Sequence, residues 1–322
     1  MRAIRVHEAG VPEVLSLEDV EDPVAAEGQA VVRLDAIGVN MIDTKMRSGA
    51  YAGSLPFTPG TEGAGRVEAI GPGVTDLAVG DPVGFAGPPG AYTEAVAVRA
   101  DKLVQLPDGI TPALAAAVLL QGMTAHYLVH SVCPLEEGDT VVVHAAAGGV
   151  GLLFTQLATA RGLRVIGTTS TAEKAERVRA AGAADVVIRS ERSLAEVVRE
   201  HTGGGGARAV FDSIGKATID ESFASLGRRG YLVVFGQASG PPAPVSIRQL
   251  QEGGSLFLTR PGLGDYTATR EELLWRSGDV LGMVAEGSLD VHVHERYPLE
   301  RAADAHRALE SGTTAGKLLL IP

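Results

Sequence analysis

One stretch constrains this chain more than any other: Thr140-Val-Val-Val-His144, then Ala145-Ala-Ala-Gly148-Gly149-Val150-Gly151, then an apolar helical pattern. Read as G-x-G-x-x-G, the loop is Ala146-x-Gly148-x-x-Gly151, with alanine at the first position. Gly148 lets the backbone approach a pyrophosphate, and Gly151 lets strand and helix pack closely. The start of the helix supplies N–H groups and a positive dipole end for phosphates. Val150, Leu153, Phe154, Leu157 and Ala158 fall on one helical face, and Arg161-Gly162 ends it with a basic turn and a C-cap glycine.

Short apolar strands recur near Arg164, Asp185, Arg208, Tyr231 and Ser255, with helical segments between most of them. Strand, helix, strand at about 20–25 residues implies right-handed βαβ units and a parallel sheet. Before residue 123 the texture differs. Ala3–Val6, Ala30–Ile37, Gly65–Ile70, Val83–Phe85 and Ala91–Val98 read as strands, punctuated by Gly71-Pro72-Gly73, Gly80-Asp81-Pro82 and Gly87-Pro88-Pro89-Gly90. After residue 268 come a helix over Thr269–Glu286, a short strand, a helix over Leu299–Leu309 and a strand over Lys317–Ile321. The expected organisation is α/β plus β. A β-barrel domain spans 1–122, a parallel-sheet cofactor domain of Rossmann type 123–267, and a segment returning to the first domain 268–322.

The second strand of the parallel sheet decides which dinucleotide fits. An NAD site usually ends that strand in Asp or Glu, for the ribose 2′-hydroxyl. Here Arg164-Val-Ile-Gly-Thr168 continues as Thr169-Ser170-Thr171-Ala172-Glu173-Lys174, with no acid at the strand end. Ser170 can donate to a 2′-phosphate and Lys174 can neutralise it. Ser170-x-x-Glu173 also reads as a capping box, and Lys174 as a solvated helix face. Arg189, after the third strand, is a further phosphate contact to weigh. NADPH is the expected cofactor.

Bulk properties bound the partners. The net charge of −11 disfavours a nucleic-acid backbone as partner, as does the lack of basic-aromatic stretches. The single cysteine, Cys133, excludes a disulfide framework or cysteine metal cluster within the chain and suits a reducing cytoplasm. The longest uncharged apolar stretch, Pro112 to Leu120, falls short of the roughly 20 residues that cross a bilayer, so the chain reads as soluble.

HAAAGGVGLLFTQLA, with NMIDTKMRSGAY and LPFTPGTEGAGRVEAIG upstream and FDSIG, LGRRGYLVVFG, LTRPGL, TREEL and ESGTTAGKLLLIP downstream, resembles the zinc-free quinone oxidoreductases of the medium-chain dehydrogenase/reductase superfamily. The resemblance covers essentially the whole chain. It implies a GroES-like β domain beside a Rossmann domain, a site in the cleft between them, and a homodimer. Asn40 stands where zinc alcohol dehydrogenases carry a catalytic cysteine, and Thr61 where they carry a ligand histidine. No metal is therefore expected.

The same resemblance implies that Asn40, Asp43, Thr124 and Tyr127 lie near the nicotinamide and its ribose, with Lys45 a further cofactor-binding candidate. It puts Gly149 and Val150, within the Gly148–Gly151 loop, at the pyrophosphate and Ser170 and Lys174 at the 2′-phosphate. Ser213, Phe235, Gly236, Leu258, Thr259 and Arg260 would line the rest of the cofactor cleft. Each has a plainer alternative: Asp43 can cap a turn, Thr124 can be a buried helix hydroxyl, and Phe235 can be core. Lys45 and Arg189 replace tyrosines common in bacterial members, and Gly312 replaces an arginine, leaving Arg189 as a substitute charge.

Without a metal or an evident acid/base pair, rate must come from proximity and an activated acceptor. A quinone suits this because its reduction yields an aromatic hydroquinone anion. Asn40 and Tyr51 are the candidate catalytic residues, to bind the carbonyl or orient the acceptor. The expected enzyme is an NADPH:quinone reductase acting on a quinone or other activated carbonyl. The alternatives are an enone or enal reductase of the same superfamily and a non-enzymatic NADPH-binding protein with an RNA-binding or structural role.

Overall fold

The computed structural model describes every residue but Ala52. Its chain forms two compact units, Met1–Met123 with Thr267–Pro322, and Thr124–Tyr266.

The first unit opens with β1 (Arg2–Val6) and β2 (Leu15–Asp19), an antiparallel pair, followed by the long strand β3 (Gln29–Val39). A short helix α1 (Met41–Arg47) leads to β4 (Glu62–Ile70), β5 (Pro82–Ala86), β6 (Ala95–Arg99) and β7 (Val104–Gln105). The expected strand from Ala91 begins later, at Ala95. Ala91 and Tyr92 instead give their N–H groups to the loop carbonyls of Gly60 and Pro59. Helix α2 (Pro112–His130) runs across the boundary between the units. The apolar run does not stop at Leu120: it continues through Gln121, Thr124 and His126 to 19 residues, enough by length and composition to cross a bilayer. Most of it is buried inside the protein, which marks a core helix.

The second unit alternates strand and helix. Its strands are β8 (Thr140–Val143), β9 (Arg164–Thr169), β10 (Asp185–Ile188), β11 (Ala207–Asp212), β12 (Leu226–Val234) and β13 (Phe257–Thr259). Between them lie α3 (Gly149–Ala160), α4 (Ala172–Ala180), α5 (Leu194–Thr202), α6 (Ile219–Ser225) and α7 (Ile247–Glu252), and α8 (Leu263–Tyr266) closes the unit. All pairs are parallel, in the order β10-β9-β8-β11-β12-β13. The order reverses between β8 and β11, and loops beyond the carboxyl ends of strands at such a point form a ligand crevice. Val142, Ile166, Val187, Val210 and Leu232 are buried in the core of the sheet.

The chain then returns to the first unit. Helix α9 (Arg270–Ala285) is capped by Thr269, whose hydroxyl accepts the Glu272 N–H while the Glu272 carboxylate accepts the Thr269 N–H. β14 (Val293–Pro298), a 3-10 turn at Leu299–Arg301, α10 (Ala302–Glu310) and β15 (Lys317–Ile321) follow. β15 pairs antiparallel with the end of β3 through Ile37, Gly38 and Val39. β6 takes the first half of β3, from Gln29 to Arg33, and the pairing of β3 with β4 shifts register at Val31/Val32 and again at Leu34/Ala36. The result is a barrel-like sheet of seven strands around Val32, Leu34, Ile37, Phe85, Tyr92 and Leu318.

Candidate active site

In the second unit the chemistry gathers at the carboxyl ends of β8, β9 and β11. β8 runs into His144, and the backbone then reverses through Ala145, whose φ of 51° lies in the left-handed region. The residue at the motif's first position, Ala146, is not the one that takes this turn. Gly148 caps α3 without a side-chain hydrogen bond, so no side chain occupies the first N–H groups of Gly149, Val150 and Gly151. A Cβ on Gly151 would stand 2.6 Å from the Ala145 carbonyl oxygen and the Ala146 Cα, so only glycine lets the helix start this close to the strand. An anion fits here on backbone grounds alone.

At the end of β9 the helix cap differs from the sequence expectation. Thr171, not Ser170, caps α4, accepting the Lys174 N–H at 3.3 Å. The cap falls one residue later because Thr169 still pairs with β10. Ser170 is exposed, and its hydroxyl is not spent on the cap. Partial burial lowers the Lys174 ammonium from its ordinary value, against the pull of Glu173. Arg189 begins beside this strand end, its N–H on the Thr169 carbonyl at 3.2 Å. Its guanidinium turns to Glu221 at 3.2 Å and the Ala217 carbonyl at 2.8 Å. That commits much of the charge offered as a substitute for an arginine at 312. Gly312 itself has φ 68°, a conformation that an arginine adopts only with strain.

A buried polar network that the sequence motifs do not announce underlies these loops. The Asp212 carboxylate accepts the N–H groups of Ile214 and Gly215 at 2.8 and 2.9 Å, the Thr218 hydroxyl, and the Ser222 hydroxyl at 2.7 Å. Ser222 gives its one proton to Asp212, so it accepts from His144 Nε2–H at 3.0 Å. His144 Nδ1 is then the acceptor for the Thr168 hydroxyl at 3.0 Å. Burial lowers the His144 pKa, which keeps the ring neutral for this role. The network holds the Ser213-Ile214-Gly215 turn. Gly236 sits against that turn so closely that a Cβ would be 2.7 Å from the Ser213 carbonyl oxygen. Phe235 is half-buried rather than core. Leu258 and Arg260 are exposed, Thr259 is half-buried, and Arg260 bonds Gln237 at 3.0 Å. In α2, Thr124 and Tyr127 are buried, and the Tyr127 ring stacks on Tyr266 at 4.5 Å.

In the first unit a second buried network surrounds the start of α1. The family resemblance puts Asp43 beside the nicotinamide. In the structure it is fully buried and turns its carboxylate inward, accepting the Asn40 N–H and the Thr61 hydroxyl, each at 2.9 Å, and the Tyr92 hydroxyl at 3.4 Å. It therefore caps α1, the plainer of the two readings. Burial, only partly opposed by the Asn40 and Thr61 donors and by Lys317, pushes its pKa up to about 7. Tyr92 also meets His306 Nε2 at 2.9 Å. Asn40 is bound by Lys317 Nζ at Oδ1 (2.8 Å) and by Glu62 at Nδ2 (2.9 Å). Lys45 is half-buried in the last turn of α1, and Tyr51, also half-buried, folds back with its N–H on the Lys45 carbonyl at 3.2 Å.

Comparison with known proteins gives the family context. The family described as "Alcohol dehydrogenase GroES-like domain" matches residues 26–108, and that described as "Zinc-binding dehydrogenase" matches 149–263. A quinone oxidoreductase of Pseudomonas aeruginosa is 44% identical over 315 residues, 97% of each chain. A 2-haloacrylate reductase from a Burkholderia species is 40% identical over 325 residues, 98% of each chain. The crystal structure of Escherichia coli quinone oxidoreductase complexed with NADPH superposes with a TM-score of 0.98 at 42% identity, covering 100% of both chains. The donor set at Asn40 and Thr61 does not fit zinc. It offers a carboxamide and a hydroxyl, with an ammonium already 2.5 Å from Glu62 Oε2. Among the described residues no group of three or more His, Cys, Asp or Glu could hold a metal ion.

The burial of Asp43 has a measurable consequence. Its folded pKa of about 7 lies above the ordinary 3.8, so between these values the folded protein holds a proton that the unfolded chain has lost. Stability from this group is complete below the lower value and is lost as pH rises through the upper one. Asp43→Asn does not titrate in this window. Urea midpoints should show the variant gaining on wild type from pH 5 to pH 8, and a difference that stays flat would contradict the buried-carboxylate assignment.

Proposed function

Because the chain belongs to the quinone oxidoreductase family of the medium-chain dehydrogenase/reductase superfamily, we propose that it transfers hydride from NADPH to a quinone or another small activated carbonyl compound. The observation that carries the cofactor half is local. The start of α3 has no side-chain cap, and β9 is followed not by the acid of an NAD site but by an exposed Ser170 and, in the first turn of α4, by Lys174. NADPH supplies the hydride from its nicotinamide when bound. The N–H groups at Gly149 and Val150 hold the pyrophosphate, and Ser170 with Lys174 holds the 2′-phosphate. The turn at Ser213, braced by Asp212, and the chain at Phe235-Gly236 and Leu258–Arg260 shape the rest of that surface.

On the acceptor side the chain works without zinc. Asn40 and Tyr51 orient the carbonyl, while Asp43 acts only through the shape of α1. A quinone needs no metal to accept hydride, because aromatisation stabilises its product. Reduction of an alkene conjugated to a carbonyl is the second reading, favoured by the 40% identity to the 2-haloacrylate reductase.

We also propose a homodimer in the cytoplasm. Strand β13 pairs only with β12 among the described residues, and its Phe257 and Leu258 are exposed, so a second copy can extend the sheet across this edge. The Cys133 thiol is buried and pushed up to about 12, which suits an inert reduced cysteine.

Anaerobic NADPH oxidation with a short-chain benzoquinone should exceed that with a simple enone; turnover of the enone alone would transfer the assignment to the second reading. Lys174→Ala should raise KM for NADPH by roughly tenfold to a hundredfold and leave KM for NADH unchanged, since a charge-assisted phosphate bond contributes about 1.5–3 kcal/mol. Equal effects on both would remove Lys174 from the 2′-phosphate. Phe257→Arg should turn a dimer into a monomer in sedimentation velocity; a variant still dimeric would place the interface elsewhere.

A further inference from the structure

Lys317 is a lysine with 1% exposure at the start of an otherwise apolar strand, and Glu62, its partner at 2.5 Å, is 0% exposed. Two desolvated charges are a costly way to stabilise a barrel, because an apolar pair would serve stability as well or better. Their surroundings show a built site. Glu62 Oε1 accepts the Leu120 N–H at 2.7 Å, and Oε2 accepts Lys317 Nζ and Asn40 Nδ2. Room for the carboxylate exists only because residue 38 is glycine: a Cβ there would lie 2.2 Å from Glu62 Oε2 and 2.5 Å from the Ala116 carbonyl oxygen.

The Asn40 carboxamide is bonded to both charges. A carboxamide has two donor hydrogens on one edge and an acceptor oxygen on the other, and it can be turned over with little change of shape. Here each edge carries one short bond to a full charge and one long bond to a neutral group. Oδ1 receives Lys317 at 2.8 Å and Gln121 Nε2 at 3.4 Å, while Nδ2 gives to Glu62 at 2.9 Å and to the Gly38 carbonyl at 3.3 Å. Turning the amide over would set its N–H groups against the ammonium and its oxygen against the carboxylate. The long bonds are the replaceable ones, because an incoming polar atom can take the place of either neutral partner.

We propose that the buried Lys317–Glu62 pair is a positioning device for the reaction. It keys the Asn40 carboxamide in a single orientation, so that one acceptor and one donor valence are presented to the bound reactants. Lys317 and Glu62 touch no reactant and act through Asn40. The inference rests on the reading of Asn40 as part of the acceptor side.

The decisive variant is Glu62→Gln/Lys317→Met. It removes both charges together, so no buried ion is left unpaired; the amide introduced at position 62 keeps its oxygen for the Leu120 N–H and turns its NH2 toward Asn40, which favours the Asn40 oxygen there and leaves the Asn40 N–H groups facing the methionine, without a charged acceptor. The expected result is a urea midpoint near that of wild type, KM for NADPH little changed, and kcat lowered by about tenfold or more, the scale of a misplaced positioning group. In 15N–1H spectra the Asn40 carboxamide protons should exchange slowly in wild type and rapidly in the variant. A variant with wild-type kcat, or with those protons still protected, overturns the proposal. If wild type reduces no quinone, the functional reading fails by itself and carboxamide exchange alone decides the keying. If the variant does not fold, exchange in wild type decides: slow exchange supports the keying and rapid exchange refutes it.

Discussion

The antiparallel pairing of β15 with the end of β3 is the constraint on which the first unit depends. It sets Leu318, Leu319 and Leu320 opposite Val39, Gly38 and Ile37, buries all three leucines, and carries Lys317 into the interior beside Asn40 and Glu62. Lys317 is separated from Asn40 by 277 positions and from Glu62 by 255, so no local preference could bring them together. Backbone ladder bonds and apolar burial hold the strand, and the charges ride on it. The sheet that β15 joins therefore has both an apolar core and a polar interior group, placed by one pairing.

The second unit solves a similar problem with neutral and singly charged groups. Asp212 is the only formal charge among the buried Thr168–His144–Ser222–Asp212–Thr218 bonds, and it is met by backbone N–H groups as well as hydroxyls. This is how a buried carboxylate is tolerated without a countercharge: enough donors converge on it to replace water. The bonds join the ends of β8, β9 and β11 to the first turns of α6. The loops at these strand ends are thus set by the interior of the sheet beneath them.

Position-by-position differences between expectation and structure share one origin. Ser170 and Thr171 offer the same cap chemistry, and which of them caps α4 is decided by how far Thr169 stays paired with β10. Asp43 offers a carboxylate that could face a ligand or cap a helix. It caps because Tyr92 and Thr61 close over it from other elements. Helix α1 is only seven residues long, too short for an apolar period to announce it. The apolar stretch ending at Leu120 extends into a 19-residue helix that carries a half-buried Gln121 and the buried Thr124 and His126 along it.

By itself the sequence determined the elements whose signals are local. The β8–loop–α3 unit rests on backbone sterics at Gly148 and Gly151, the alternation of β and α on apolar periods, the lack of an acid after β9 on a single strand end, and the absence of cysteine and histidine at 40 and 61 on residue identity alone. Only the tertiary structure decided what the polar residues do. The employment of Asn40, Asp43, Glu62, His144, Asp212 and Lys317 depends on partners far away in the chain. A charged or hydrogen-bonding group means nothing definite until folding has chosen its neighbours and removed its water.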